Sequence, residues 1–245
     1  MHLSACTNLL EIHVSMAEYL DAIGRDPKAS LDHAREAGEQ CIEIDKNYYL
    51  VYEHLARTEL ATARYLEARG DFGGMNEALE RAQDRIDQDE SARPGSMPAQ
   101  YYRLVTAVIR ATSRLRQDKD PMSFIADGRA IMKGGRLARS AAARTASAHL
   151  YLVEAERAAK AGASADIFLE NARRDAEAAI AADPGLADAE LVAAEAYLEI
   201  AKTRSTGTAA QQCGKHLREA LALNPRLALD RRLAEAKQLC HALPR

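Results

Sequence analysis

Residues that could bind a metal or act in catalysis are scattered along the chain. A helical metal site needs ligands three or four residues apart, so that they share one face. Glu11 and His13 are only two residues apart and therefore lie on different helical faces. We predict no metal and no cofactor, and we expect the histidines at surface or groove positions. The seven histidines are His2, His13, His33, His54, His149, His216 and His241.

Catalytic motifs with a recognisable spacing are also missing. The sequence contains no Gly-x-Ser-x-Gly nucleophile turn, and Gly134-Gly135 follows no strand that would make it part of a dinucleotide site. Carboxylate pairs such as Glu77/Glu80 are spaced for one exposed helical face, which favours a solvated surface over acid–base chemistry. The sequence therefore predicts a protein that is not an enzyme and has no catalytic residues.

The most informative feature is an excess of basic residues between residues 99 and 145. This segment holds ten Lys and Arg against three Asp, a balance of +7. Because the net charge of the whole chain is −3, the other residues together carry −10. Arg103, Arg110 and Arg114 are seven and four residues apart and share one helical face. Because guanidinium groups bind carboxylate and phosphate through two hydrogen bonds, this face is predicted to bind an acidic or phosphorylated peptide.

A second interpretation of the basic segment is neutralisation within the protein. Residues 77–90, just before it, are acidic, and stacked helices would bring their carboxylates beside the arginines. Internal pairing and ligand binding both stay open at this point. Nucleic acid is not expected as a partner, because the net charge is −3 and no nucleic-acid-binding motif occurs.

The apolar pattern and the cysteines bear on where the chain works. No run of 18 apolar residues and no secretory leader occur, so we predict no membrane partner and a cytoplasmic location. The four cysteines are most simply interpreted as buried thiols that act as small apolar residues. Cys213 and Cys240 could meet across neighbouring helices, but their spacing does not show it. The oligomeric state stays open.

The composition indicates an all-α fold. Ala supplies 50 of 245 residues, whereas Gly and Pro supply 13 and 7, and no segment alternates apolar and polar residues as a strand would. Similar helix endings recur at Asp183-Pro184 and at Asn224-Pro225, where the proline cannot continue the helix. Such recurrence predicts an internal repeat.

Small residues recur ahead of the helix endings at spacings of four and three. This spacing places them on one helical face, where they let a neighbouring helix approach closely. The ladders follow one another at intervals of 41 to 48 residues, and helix pairs of this length must stack because they cannot bury their apolar faces alone. The ladders are Ala34–Gly38–Cys41, Ala78–Ala82–Arg85, Ala126–Ala130–Lys133, Ala172–Ala176–Ala179 and Cys213–Leu217–Ala220.

The predicted architecture is a single domain over residues 1–245, a solenoid of about five helix pairs closed by a C-terminal capping helix over 226–242. The first helix of each pair is expected to be elongated and the second shorter. The third pair follows the pattern least well. The predicted units are 4–45, 46–90, 96–135, 139–183 and 186–224.

The order of these features along the chain resembles a known family. Asp26-Pro27 opens a helix that continues through Gly38, Tyr48-Tyr49 and then Leu55-Ala56 follow, and residues 220–225 close the last repeat. This order is similar to the tetratricopeptide-like (TPR) C-terminal region of myxobacterial-type bacterial serine/threonine protein kinases, over residues 9–240. The resemblance implies a non-catalytic scaffold of kinase signalling, which docks a peptide or a helical partner on its concave face.

In such helix pairs the first helices line the concave groove, which implies a set of partner-binding residues. The alternative is an architectural module that packs on its own kinase domain or on a second copy. An exposed apolar patch on an end pair would favour that alternative, whereas an enzyme would need a pocket of converging titratable groups. The predicted groove residues are Tyr52, His54, Arg57, Tyr102, Arg103, Arg110, Arg114 and His149.

Overall fold

The computed structural model describes residues 2–133, 135–204, 207–229 and 240. Over these ranges the regular elements are ten α-helices and two 3-10 turns, which confirms the predicted all-α fold. The α-helices are α1 (Leu3–Ala22), α2 (Lys28–Ile44), α3 (Tyr49–Ala68), α4 (Phe72–Ala92), α5 (Met97–Arg116), α6 (Met122–Met132), α7 (Ala141–Lys160), α8 (Asp166–Ala182), α9 (Ala187–Arg204) and α10 (Gly207–Leu223). The 3-10 turns are Leu137–Arg139 and Pro225–Leu229.

The chain forms two compact units, residues 1–109 and 110–245, and α5 runs across the boundary. In the first unit α1 packs on α2 and α3 packs on α4, while α3 also contacts α1 and α2. In the second unit α7 packs on α8 and α9 packs on α10, while α9 also contacts α7 and α8. Each unit therefore contains helix pairs in which a later first helix meets both helices of the preceding pair, as expected of a helical repeat.

The predicted small residues lie where a second helix meets the next first helix. Ala34 and Cys41 of α2 are fully buried, and Gly38 lies so close to Leu55 of α3 that a Cβ atom on it would be 2.8 Å from the Leu55 Cγ atom. Small side chains at these places let the two helix axes approach, as the spacing predicted. The corresponding fully buried residues of α8 are Ala172, Ala176 and Ala179.

An arginine of a second helix repeatedly pairs with a buried glutamate of the next first helix. Arg35 of α2 binds Glu59 of α3 at 2.7 Å, and Arg129 of α6 binds Glu154 of α7. The two glutamate side chains are only 4% and 5% exposed. Arg81 of α4 adds a second guanidinium 3.0 Å from Glu59. Such partners are required because an unpaired buried charge costs several kcal/mol.

A polar contact between a second helix and the next first helix occurs a third time, between α8 and α9, with a tyrosine in place of the glutamate. The paired residues above are 24 and 25 positions apart, and Tyr197 of α9 follows Arg173 of α8 by 24. Both Arg173 and Tyr197 donate hydrogen bonds to Glu177, at 2.6 and 2.5 Å. At this place a tyrosine replaces the glutamate, and α8 itself supplies the carboxylate. The polar contacts thus repeat along the chain as the small residues do.

Most helix lengths follow the prediction of long first and shorter second helices. The first helices have 18 to 20 residues and the second helices α2, α8 and α10 have 17, but α4 has 21. The helix α4 continues to Ala92 and stops only where Pro94 approaches, because proline disfavours helical geometry in the residue before it. The predicted division into one domain and five units stays a prediction. Most of the predicted capping helix, 226–242, lies outside the described residues.

The cysteines differ from the prediction of free buried thiols. Cys6 of α1 and Cys41 of α2 form a disulfide, and so do Cys213 of α10 and Cys240, each with Cα atoms 5.7 Å apart. All four are buried, so they still fill core positions. Partners that are 35 and 27 residues apart meet only through helix packing, which sequence spacing alone does not reveal.

Candidate functional site

The predicted groove residues lie on α3, α5 and α7 and are divided between the two units. Arg103 and Arg110 both lie on α5, but the boundary at residues 109–110 separates them. Those of the first unit are Tyr52, His54, Arg57, Tyr102 and Arg103. Those of the second unit are Arg110, Arg114 and His149.

His54, Arg57 and Tyr102 come together in the first unit with carboxylates of α1. The Arg57 guanidinium binds both oxygens of Glu18, with an Nε–Oε1 distance of 2.9 Å and an Nη2–Oε2 distance of 2.5 Å. This hydrogen bonding raises the pKa of Arg57 further, although burial opposes it. Burial lowers the pKa of His54 below its usual range, while the charge of Glu11 acts in the opposite direction. The cluster thus presents a salt-bridged arginine and a histidine that is neutral at neutral pH.

The two predicted tyrosines pack mainly within the unit. Tyr52 is only 7% exposed, and its hydroxyl group donates a 2.6 Å hydrogen bond to the carbonyl oxygen of Lys46. Tyr102 packs against Ala56 and Ile86, and burial raises the pKa of its hydroxyl group. Both side chains therefore leave a partner little surface, and their role in binding stays a prediction.

Arg103 follows the internal-pairing interpretation of the basic segment. Its guanidinium lies 2.8 Å from Asp87 and 3.6 Å from Glu90, both on α4. Close by, Arg93 pairs with Glu53 of α3. The acidic stretch that precedes α5 thus neutralises arginines of its own unit, so Arg103 has less of its charge available for a ligand.

Arg110 and Arg114 of the second unit form no ion pair within the described ranges. The Arg110 guanidinium carbon lies 5.7 Å from the centroid of the Phe124 ring, which is a cation–π distance. Arg114 is exposed. His149 of α7 lies 3.9 Å from Glu195 of α9, with its Nδ1 atom facing Oε2. Of the predicted residues, Arg114 is therefore the one best placed to meet an acidic group.

An exposed apolar stripe on α1 was missed by the sequence analysis. Leu9, Ile12 and Met16 are 37%, 60% and 46% exposed and are spaced three and four residues apart, so they share one face. We call these three residues the α1 stripe. The sequence does contain a signal for it, because α1 is apolar on two faces instead of one. The buried apolar face of α1 consists of Cys6, Leu10, Val14 and Ala17.

On α3, the side that corresponds to the α1 stripe is covered by α2. There, Leu55 lies against Gly38, and Thr62 accepts a 2.6 Å hydrogen bond from Arg35, both of which belong to α2. Counted from the first residues of the two helices, Leu3 and Tyr49, Leu9 and Met16 of α1 occupy the places of Leu55 and Thr62 of α3. The side that α2 covers on α3 is thus left bare on α1.

The described residues contain no group of three or more His, Cys, Asp or Glu side chains that could hold a metal ion. His13 of α1 and His33 of α2 do come together, with ring centroids 5.2 Å apart, although 20 positions separate them in the sequence. In the same part of the chain, no helix is long and apolar enough to span a membrane. What the surface does offer is the chemistry of association, namely the apolar α1 stripe and arginines that form no ion pair with a described residue.

Comparison with known proteins gives a structural likeness. No family model and no curated protein matches the sequence. Among solved structures, the chain is similar to YrrB, described as a TPR protein with an unusual peptide-binding site, at 16% sequence identity. The match covers 97% of this chain and 100% of YrrB, with a TM-score of 0.39. Since this likeness is low, the helical-repeat architecture rests on the contacts within each unit.

Proposed function

We propose that this protein is a non-catalytic protein–protein interaction scaffold that docks a helical partner on the α1 stripe. The observation that carries the proposal is the exposure of Leu9, Ile12 and Met16 on one face of α1. Fully burying one such side chain gains roughly 1.5–3 kcal/mol, so covering the stripe would drive association. An exposed apolar patch of this kind also favours an architectural role, in which the protein packs on its own kinase domain or on a second copy.

The partner that fits the α1 stripe is an amphipathic helix with a ladder of Ala or Gly residues. The helix α2 provides the precedent, because its Gly38 lets Leu55 of α3 approach closely. On one flank of the stripe, Asn8 and Ser15 are exposed and uncharged. The apolar face of such a helix would therefore bury no unpaired charge on this flank, and its charged residues would meet no like charge there.

The resemblance of residues 9–240 to kinase C-terminal regions supports a role in bacterial kinase signalling. The docked helix would then belong to the kinase chain itself or to a protein that regulates it. A peptide on the concave face is the second candidate, and it is favoured by the exposed Arg114 and by the partly open cluster of His54 and Arg57.

A helical probe taken from the chain itself tests the docking proposal. A fluorescein-labelled peptide of residues 28–44, with Cys41→Ala, is titrated with the protein and followed by fluorescence anisotropy. We expect Ile12→Glu/Met16→Glu to weaken binding at least tenfold, since two apolar contacts of roughly 1.5 kcal/mol each are lost. The matched control is Ile167→Glu on α8, because Ile167 is 65% exposed but lies in the other unit.

The result that would refute docking at the α1 stripe is equal binding by the wild type and the double variant, or no binding by the wild type. Far-UV circular dichroism checks that both variants fold, which we expect because the replaced side chains are exposed. Sedimentation velocity of the wild type alone shows whether a second copy occupies the stripe. Dimers lost in Ile12→Glu/Met16→Glu would assign the stripe to self-association.

A further inference from the structure

A short segment of the second unit concentrates positive charge that is only partly neutralised by ion pairs among the described residues. From residue 128 to residue 153 the sequence contains five Lys or Arg and no Asp or Glu. Arg129 is used internally, because it pairs with Glu154. The other four form no ion pair among the residues that the structure describes. We call them the basic turn, and they are Lys133, Arg136, Arg139 and Arg144.

The local fold presents the basic turn outward. Leu137 is only 1% exposed and anchors the 3-10 turn between α6 and α7. The residues on either side of this anchor, Arg136 and Arg139, are exposed, and so is Lys133. Arg144 lies in the first turns of α7, whose first turn holds no acidic residue. The positive end of the helix dipole therefore adds to the charge of the side chains.

Many arginines of this protein are paired internally, whereas the cations of the basic turn, like Arg110 and Arg114, form no ion pair within the described ranges. Several partly exposed guanidinium groups have a carboxylate within reach, on the same helix or on a neighbouring one. Arg157, for example, reaches Asp120 at 2.9 Å within the same unit as the basic turn. Other arginines with such partners are Arg35, Arg57, Arg81, Arg85, Arg93, Arg103, Arg173 and Arg204.

We propose that the basic turn docks an acidic segment of a partner protein, one rich in carboxylate or phosphate groups. Three of its four cations are arginines, which bind both groups through paired hydrogen bonds. A nucleic acid fits less well, because residues 133–144 contain no aromatic side chain for base stacking and the chain as a whole carries −3. This surface is separate from the α1 stripe, so the inference extends the proposed function.

Charge reversal on the basic turn provides the test, with a control that changes the net charge equally. The variant is Arg136→Glu/Arg139→Glu. The control is Lys215→Glu/Arg218→Glu on α10, because both of these residues are exposed and form no ion pair in the described part of the chain. Fluorescence anisotropy at low salt measures binding of a labelled ten-residue glutamate peptide and of a phosphoserine peptide of the same length. A thymidine oligonucleotide and phosphatidylserine vesicles serve as competing polyanions.

We expect the wild type and the control to bind an acidic peptide with similar affinity. The basic-turn variant should bind it at least about tenfold more weakly, and added salt should reduce this difference in affinity. Tighter binding of the phosphoserine peptide would identify phosphate as the preferred group, and equal or tighter binding of the glutamate peptide would identify carboxylate. Equal binding by all three proteins, an equal loss in the control, or tighter binding of the oligonucleotide or the vesicles would overturn the proposal.

Discussion

Replacing Gly38 of α2 by alanine should lower the free energy of unfolding by about 1–2 kcal/mol. A Cβ atom at this position would lie 2.8 Å from the Cγ atom and 3.0 Å from the Cδ1 atom of Leu55, closer than ordinary carbon contacts. Leu55 is 1% exposed and packs among Val51, Ala34 and Cys41, so it has no free space to move into. Overpacking costs about 1–3 kcal/mol, whereas removing a glycine from a helix interior gains only about 1 kcal/mol.

The reasoning predicts that Leu55→Ala rescues Gly38→Ala. Leu55→Ala alone should cost about 2–5 kcal/mol, because it leaves a cavity in the first unit. In that background the clash is gone and only the helix-propensity gain remains, so Gly38→Ala becomes neutral or stabilising by up to about 1 kcal/mol. The two substitutions should thus couple by about 2 kcal/mol in a double-mutant cycle.

Urea unfolding followed by far-UV circular dichroism measures all four proteins of the cycle. The control is Gly73→Ala on α4, where the nearest atom would be 3.7 Å away, so this change should stabilise by about 0.5–1 kcal/mol. If Gly38→Ala proved as stable as the wild type, or if the cycle showed no coupling, the close approach of α2 to α3 would not be what selects glycine.

Three further predictions concern the polar and covalent contacts of the first unit. Glu59→Gln should cost about 2 kcal/mol in urea unfolding, less than the 3–5 kcal/mol of a fully buried pair, because its two arginines are partly exposed. Burial raises the pKa of Asp89, so the folded state holds a proton that the unfolded state releases, and stability from this group falls as pH rises from 3.8 through the raised pKa. The free energy of unfolding of Asp89→Asn, relative to that of the wild type, should therefore be higher at about pH 7 than at about pH 4. Cys6→Ala/Cys41→Ala should lose about 4 kcal/mol in unfolding free energy, since the disulfide closes a loop of 35 residues in the unfolded chain.

Each of these has an outcome that contradicts it. An unchanged midpoint in Glu59→Gln would mean that the arginines do not clamp α2 and α4 to α3. A constant difference between Asp89→Asn and the wild type at both pH values would mean that burial does not perturb this carboxyl. Non-reducing peptide maps of protein taken from its own cells show whether Cys6 and Cys41 are joined. Joined cysteines there would argue against the predicted cytoplasmic location, because disulfides persist in oxidising compartments.

The repeat was predictable because it is written in local spacing. Ala34 and Gly38 are four residues apart, so they must share a helical face, and their size permits a close neighbour whichever helix that is. The candidate site was less predictable, because it depends on which groups the fold places beside each side chain. Arg103 and Arg114 have the same residue type on the same helix, yet one meets carboxylates of α4 and the other is exposed.

By itself, the sequence determined the helical class, the helix pairs and the small-residue ladders, because helix propensity and periodicity act over a few neighbouring residues. Only the tertiary structure decided which cysteines pair, which arginines are neutralised and which apolar face of α1 is left bare. The physical reason is that each of these depends on groups that are distant in the sequence, such as Arg57 with Glu18 at 39 positions, Arg103 with Asp87 at 16 and Cys6 with Cys41 at 35. Side-chain chemistry specifies what a residue can bind, and packing specifies what it meets.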